Sequence, residues 1–309
     1  MKTKVKIGLA LGSGAARGWA HIGVLKALED ANIRPDIIAG SSIGALVGAA
    51  YAAGNMPVLE HALLKLTRLQ TARYFGINSG FTGFINQQRL HTFLSQYVAT
   101  QALQIEDLSV KYANVATHLN TGREVWHTTG PLLDSVWASI AVPGLFPAVN
   151  IDNHWLVDGG LVNPVPISVC RALGADAVIA VNLNGDILGK HVHADLQHIQ
   201  PAKPSTEHPN LFNKFTEYVD QQKQRLFASE HDKPQPPALF DTLAASINIA
   251  QDRITRSRMA GDPPDVLIQP RLSHIGLLEF YRAHEAIEAG YVDDCQRPAT
   301  AWSDLNIPM

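Results

Sequence analysis

Short apolar runs alternate with amphipathic stretches through most of this chain. Val5 to Leu11 is a near-continuous apolar run, as expected of a strand covered on both faces. Ala20 to Asp30 follows with Val24, Leu25 and Leu28 at helical spacing. Pro35 to Ala39 is a second short apolar run, and Ala45 to Ala53 is rich in helix formers and closes at Gly54-Asn55. Strand, helix, strand in this order is a βαβ unit, and such units build parallel sheets with helices on their faces. The expectation is therefore an α/β fold.

The remaining pattern adds elements of both kinds. Val58 to Gln70 reads as one amphipathic helix through Leu59, Leu63, Leu64 and Leu66, and Asn86 caps a helix reaching Val98. Tyr112 to Asn120 and Glu124 to Thr129, joined by Thr121-Gly122, read as a hairpin or adjacent strands. Pro131 opens a helix to about Ile140, and Pro143 to Pro147 turns the chain. His154 to Val157 and Ala177 to Asn182 read as strands, with a helix from Ile167 to Leu173 between them. Near the C-terminus come a long helix from Leu239 to Met259, a strand from Val266 to Gln269, and a closing helix from Leu277 to Tyr291. Two stretches break the pattern. Phe75 to Phe84 interleaves aromatics with Gly76, Gly80 and Gly83 and reads as a mobile apolar loop. Residues 184–237 are rich in His, Gln, Lys and Pro, with one helical stretch from Leu211 to Phe227, and read as a surface insertion or flap. The expected organisation is one domain over 1–309, with its core in about 5–183 and 238–295.

Composition narrows the class. Apolar residues make up 46% of 309, enough for a sizeable core, and the net charge of −3 without a basic stripe argues against nucleic acid as a partner. Two cysteines, Cys170 and Cys295, make no disulfide framework and fit a reducing, cytoplasmic setting. The apolar run after Met1 is too short for a signal peptide and is broken by Gly12, Gly14 and Arg17. No run reaches transmembrane length, so membrane contact is expected to be transient at most. Oligomeric state is not legible.

Candidate chemistry gathers where strands hand over to helices. Gly40-Ser41-Ser42-Ile43-Gly44 is a Gly-x-Ser-x-Gly turn between a strand and a helix, the setting of a nucleophile elbow. It would push the Ser42 hydroxyl to the carboxyl edge of the sheet, with the helix N-terminus behind it favouring developing negative charge. The first strand ends in Gly12-Ser13-Gly14-Ala15-Ala16-Arg17-Gly18. As a dinucleotide fingerprint this loop has Arg17 where glycine is wanted, and it lacks the Gly-Lys-Ser/Thr close of a P-loop. As an oxyanion hole, its N–H groups near Gly14 and Ala15 would face the elbow, with Arg17 adding positive charge or pairing with a surface carboxylate. Asp158-Gly159-Gly160 ends another strand, either as a turn or as an acid beside a close backbone approach. A histidine triad stays open through His191, His193, His198, His274 and His284. His21 reads as a packing or loop-bracing residue, and His191-x-His193 lacks the acids or cysteines of a metal site.

Together these blocks resemble the patatin-like phospholipases, in their small bacterial single-domain branch. The matching pieces are the Gly12 to Gly18 loop, Ala20-His21-Ile22-Gly23-Val24-Leu25, and Gly40 to Gly44. They continue in Ser139 to Pro147 and in Asp158-Gly159-Gly160 followed by Asn163-Pro164-Val165-Pro166, so the resemblance spans roughly Lys6 to Asn182. It implies a three-layer sandwich with a mostly parallel central sheet, and cleavage of a fatty-acyl ester without metal or other cofactor. It further implies a dyad of Ser42 as nucleophile and Asp158 as base, with the Gly12 to Gly18 loop as oxyanion hole. Ser13 and Ala15 stand where many members carry glycine. Phe75, Phe81, Phe84, Trp137 and Phe146 are candidates to line an acyl groove. The alternative is a scaffold that binds an acyl ligand or a protein partner without turnover.

Overall fold

In the computed structural model, residues 5–75, 87–187 and 239–295 are described. Contacts divide the chain into two compact units, Met1–Leu188 with Leu243–Met309, and Gly189–Thr242. The first unit is built on an eight-stranded sheet ordered β5-β6-β3-β2-β1-β7-β8, with β4 paired to β3. Its strands are β1 Ile7–Leu11, β2 Ile37–Ser41, β3 Lys111–His118, β4 Glu124–His127, β5 Val149–Ile151, β6 His154–Asp158, β7 Ala177–Val181 and β8 Val266–Ile268. The run β3-β2-β1-β7-β8 is parallel. β4, β5 and β6 add antiparallel pairings at the β3 end. This is the mostly parallel sheet between helices that the family resemblance implies, and its β1-β2 pair is parallel, as the βαβ pattern predicts.

Alternation within the strands explains the layers. Leu9, Leu11, Ile38, Ile179 and Val181 point into one core. That core also holds side chains of α1 Ala20–Asp30, α2 Ile43–Ala52, α5 Gln87–Tyr97, α6 Leu132–Ser139 and α9 Ala283–Cys295. Ala10, Ile37, Ala39, Val178 and Ala180 point the other way, onto Ile167, Val169 and Cys170 of α7 Ile167–Ala172. Both faces of the central strands are thus dry, which is why they read as continuous apolar runs. Each fully buried Leu, Ile or Val contributes about 1.5–3 kcal/mol of transfer free energy.

Three expectations change. The single helix over Val58 to Gln70 is two, α3 Met56–Leu64 and α4 Arg68–Phe75. Thr67 and Gln70 form a reciprocal capping box: Thr67 Oγ1 accepts from the Gln70 N–H at 3.2 Å, and Gln70 Oε1 accepts from the Thr67 N–H at 2.9 Å. That local pairing starts a new helix where the apolar periodicity runs on. β5 was not expected; three residues are too few to show alternation. It reaches β6 through Asp152 and Asn153, whose φ of 50° and 63° suit a tight hairpin turn. The closing helix begins at Ala283, after a 3-10 turn at Phe280–Arg282, later than its expected start at Leu277.

The Phe75 to Phe84 loop falls, from residue 76, outside the described residues. So do the Leu211 to Phe227 stretch, all but the first residues of 184–237, and His191, His193 and His198. The long helix stands as α8 Leu239–Gly261. None of the described helices is long and apolar enough to cross a membrane.

Candidate active site

β1 and β2 lie side by side, so the loops leaving them are neighbours at the carboxyl edge of the sheet. β2 ends at Ser41, α2 starts at Ile43, and Ser42 is the hinge, with φ 55° and ψ −126°. A positive φ on a non-glycine residue is uncommon, and holding it costs on the order of 1–3 kcal/mol. The turn is correspondingly tight. A Cβ on Gly40 would stand 2.4 Å from the Ala45 Cα, and one on Gly44 would stand 2.1 Å from the Leu11 carbonyl oxygen. Since the obstacle at Gly44 is backbone, Gly44→Ala is expected to destabilise the fold by about 3 kcal/mol or more. Thermal melting followed by circular dichroism checks this; an unchanged melting temperature would contradict it. The Ser42 N–H is held by Ser139 Oγ at 3.0 Å, a buried hydroxyl on the last residue of α6.

The acid arrives from a distant part of the chain. β3 sets its place: Val115 pairs with Ser41, and the next residue, Ala116, pairs with Asp158. Adjacent positions on one strand therefore bring the elbow and the acid together across 116 residues of sequence. Ser42 Oγ donates to Asp158 Oδ2 at 2.5 Å, and the Gly160 N–H donates to Oδ1 at 2.7 Å. Thr117 Oγ1 donates to the Asp158 carbonyl at 2.8 Å, fixing the backbone on the other side. Gly159 is obligatory here, because its Cβ would sit 2.1 Å from the Val115 oxygen. Asp158 is 1% exposed. Burial pushes its carboxyl up to about 7, opposed by the bonds from Ser42 and Gly160 that favour the anion.

The Gly12 to Gly18 loop is tied down at most of its donors. The Gly12 N–H goes to the Val181 carbonyl, Ser13 to Pro164, Ala16 to Leu277 and Arg17 to Gly14. Among the described residues, the N–H groups of Gly14 and Ala15 find no acceptor. Ala15 has φ 49°, a left-handed conformation that glycine adopts more cheaply. His21 Nε2 meets the Gly12 carbonyl at 2.8 Å, which is the loop-bracing position expected of it. Burial drops the His21 imidazole to about 4, so it is neutral near pH 7 and donates this bond. Arg17 is buried, not at the surface. Its Nε donates to the Gly14 carbonyl at 3.2 Å and its Nη2 to Asn248 Oδ1 at 3.1 Å. Burial lowers its guanidinium to about 10, while the Asp186 charge raises it.

Ser42, Asp158, Gly160 and the elbow residues are thus assembled at one sheet edge, beside the Gly loop. The histidine alternatives are elsewhere. His274 pairs with Glu285 at 2.8 Å and His284 lies 3.9 Å from Glu288, both at the surface. Of the groove candidates, Trp137 and Phe146 pack edge to face at 5.9 Å; Phe81 and Phe84 fall outside the described residues. Ser139 opens the Ser139 to Pro147 block, but neither its sequence context nor that of Asn248 and Gln251 of α8 assigns a role. The signal for the α8 pair was their three-residue spacing, which puts them on one side of a helix.

A family model described as patatin-like phospholipase matches residues 9–171. An NTE family protein of Mycobacterium tuberculosis (strain ATCC 25618 / H37Rv) is 31% identical over 335 residues, covering 92% of this chain and 89% of that protein. Patatin-like phospholipase domain-containing protein 6 of Homo sapiens is 36% identical over 194 residues, covering 57% of this chain but 13% of that one. Lysophospholipase nte1 of Aspergillus fumigatus is 28% identical over 98% of this chain and 19% of its own length. Among solved structures, VipD from Legionella pneumophila aligns with TM-score 0.46 at 12% identity, over 95% of this chain and 66% of that one. With more than half of its length matched by the family model, the chain belongs to the patatin-like phospholipase family.

Proposed function

We propose that this carboxylic ester hydrolase cleaves lipid or lysophospholipid acyl esters through a Ser42–Asp158 dyad. The observation that carries the proposal is the 2.5 Å bond from Ser42 Oγ to a buried carboxylate whose pKa is lifted to about 7. A serine hydroxyl needs a base to become nucleophilic, and a base is best matched when it titrates near the working pH. As Ser42 Oγ attacks the ester carbonyl carbon, Asp158 Oδ2 takes its proton. The oxyanion formed is received by the Gly14 and Ala15 N–H groups, the loop donors free to turn to it. Gly12, Ser13 and Arg17 spend their backbone N–H groups inside the fold, and with Gly18, which packs on Ile43, they shape that hole. Collapse breaks the ester C–O bond, and the departing alcohol takes the proton back from Asp158. Water then attacks the acyl-serine with Asp158 as base again, releasing the carboxylic acid and restoring Ser42. The names of the human and Aspergillus relatives support a lipid ester as substrate.

The test is chemical. A fluorophosphonate probe should attach to the peptide containing Ser42, and the unlabelled protein should turn over a panel of p-nitrophenyl and lysophospholipid esters. Attachment at another residue, or lipid binding without turnover of any ester, would overturn the proposal.

A further inference from the structure

The Gly loop is held from a part of the chain that the family model does not reach. That model ends at residue 171, whereas α8 supplies two polar side chains to the loop. Gln251 is buried, and its Oε1 accepts from Ser13 Oγ at 3.0 Å and from Asn184 Nδ2 at 3.2 Å. One turn earlier, Asn248 Oδ1 accepts from Arg17, whose Nε holds the carbonyl of Gly14. Gln251 also fills the gap between loop and acid. A Cβ on Gly160 would stand 2.5 Å from Gln251 Nε2, 2.9 Å from Asp158 Oδ1 and 3.1 Å from Ser13 Cβ. The Gln251 amide is therefore wedged between the Asp-Gly-Gly turn and the first residues of the oxyanion loop. Ser13 spends both donors on holding the loop, its N–H on Pro164 and its hydroxyl on Gln251.

We infer that Gln251 is a positioning residue that sets the separation between the oxyanion loop and the Ser42–Asp158 pair. The inference rests on the oxyanion reading above. Among the described residues the bonds of Gln251 run to Ser13 and Asn184 and not to Ser42, so it acts through Ser13. Loss of its acceptor lets Ser13 turn and carries the neighbouring Gly14 and Ala15 N–H groups away from where charge develops. An oxyanion contact acts mainly in the transition state, so the loss belongs to kcat and not to KM. A displacement of about 1 Å at such a site costs up to about 100-fold, and a partial one on the order of tenfold.

The experiment compares Gln251→Met, which keeps the volume and removes the acceptor, with Ser13→Ala, which removes the donor from the other end. Both are made in the full chain, together with the double variant and Ser42→Ala, and kcat, KM and melting temperature are measured on one acyl ester. Each single variant is expected to lose about tenfold in kcat with KM within about twofold. The double variant should lose no more than Gln251→Met alone, because the Ser13–Gln251 bond is absent in each, and the bond from Asn184 that Gln251→Met also removes is lost equally in the single and the double. Unchanged kcat per folded molecule, with only the melting temperature lowered, would overturn the inference. So would losses that multiply in the double variant. If Gln251→Met fails to fold, Ser13→Ala alone decides. Should these variants behave like wild type while Ser42→Ala is dead, the positioning role fails and the dyad stands. Should Ser42→Ala retain turnover, the underlying reading fails instead.

Discussion

Ser42→Ala should lose about 10⁴-fold or more in ester turnover, down to the background of the remaining site. The size follows from what is removed: the only step that makes a covalent acyl intermediate. Binding and the loop N–H groups survive, so KM should move little. The fold should survive as well. The strained φ belongs to the backbone and is tolerated as readily by alanine. Asp158 loses the hydroxyl bond that favours its anion, and a buried carboxyl responds by holding its proton more tightly. Steady-state hydrolysis of a chromogenic ester, with circular dichroism on the same sample, checks both halves. Fluorophosphonate labelling that persists in Ser42→Ala would place the nucleophile elsewhere.

Much of this arrangement was legible in the sequence, for a physical reason. Strands buried on both faces must be apolar throughout, and the turns between them must be small where backbones touch. Val5 to Leu11, the Gly12 to Gly18 loop and Gly40 to Gly44 therefore declare themselves. The meeting of Ser42 and Asp158 is a different matter, because register along β3 decides it. Nothing local says that Ser41 and Asp158 pair with adjacent residues of one strand. Only the ordered blocks of a family resemblance suggested it. The roles of Ser139, Asn248 and Gln251 were not legible, because each is an ordinary polar residue on a helix: helical spacing puts the α8 pair on one side, but not against the Gly loop, and that is decided by what they meet after folding. The break before α4 was hidden for the opposite reason: two polar side chains overrode an apolar periodicity that continued unbroken.

Asp158→Asn should abolish most ester turnover while leaving a sturdier protein at alkaline pH. Loss of the general base is expected to cost about 10³- to 10⁴-fold in kcat/KM. In the wild type only ionised Asp158 can accept the Ser42 proton, so kcat/KM should rise with pH through about 7 and level off above it. Stability runs the other way. The carboxyl titrates near 4 in the unfolded chain and at about 7 in the fold, so folding favours its protonated form. That contribution is fully present below about pH 4 and is lost as pH rises through 7. Above pH 7 the wild type carries a penalty on the order of 4 kcal/mol, from about three units at about 1.4 kcal/mol each. Asparagine is neutral throughout, can accept from Gly160 through its oxygen, and donates to Ser42 through its amide. The variant should therefore melt above the wild type at pH 8, and the gap should close towards pH 4. His21 also titrates in the acid range, held near 4 by burial, but it is present in both proteins and cancels in the difference. Paired melting curves from pH 4 to 9, with pH–rate profiles on the same preparations, test the two signs together. A flat wild-type profile between pH 5 and 9, or an asparagine variant that turns over ester normally, would show that Asp158 is not the base.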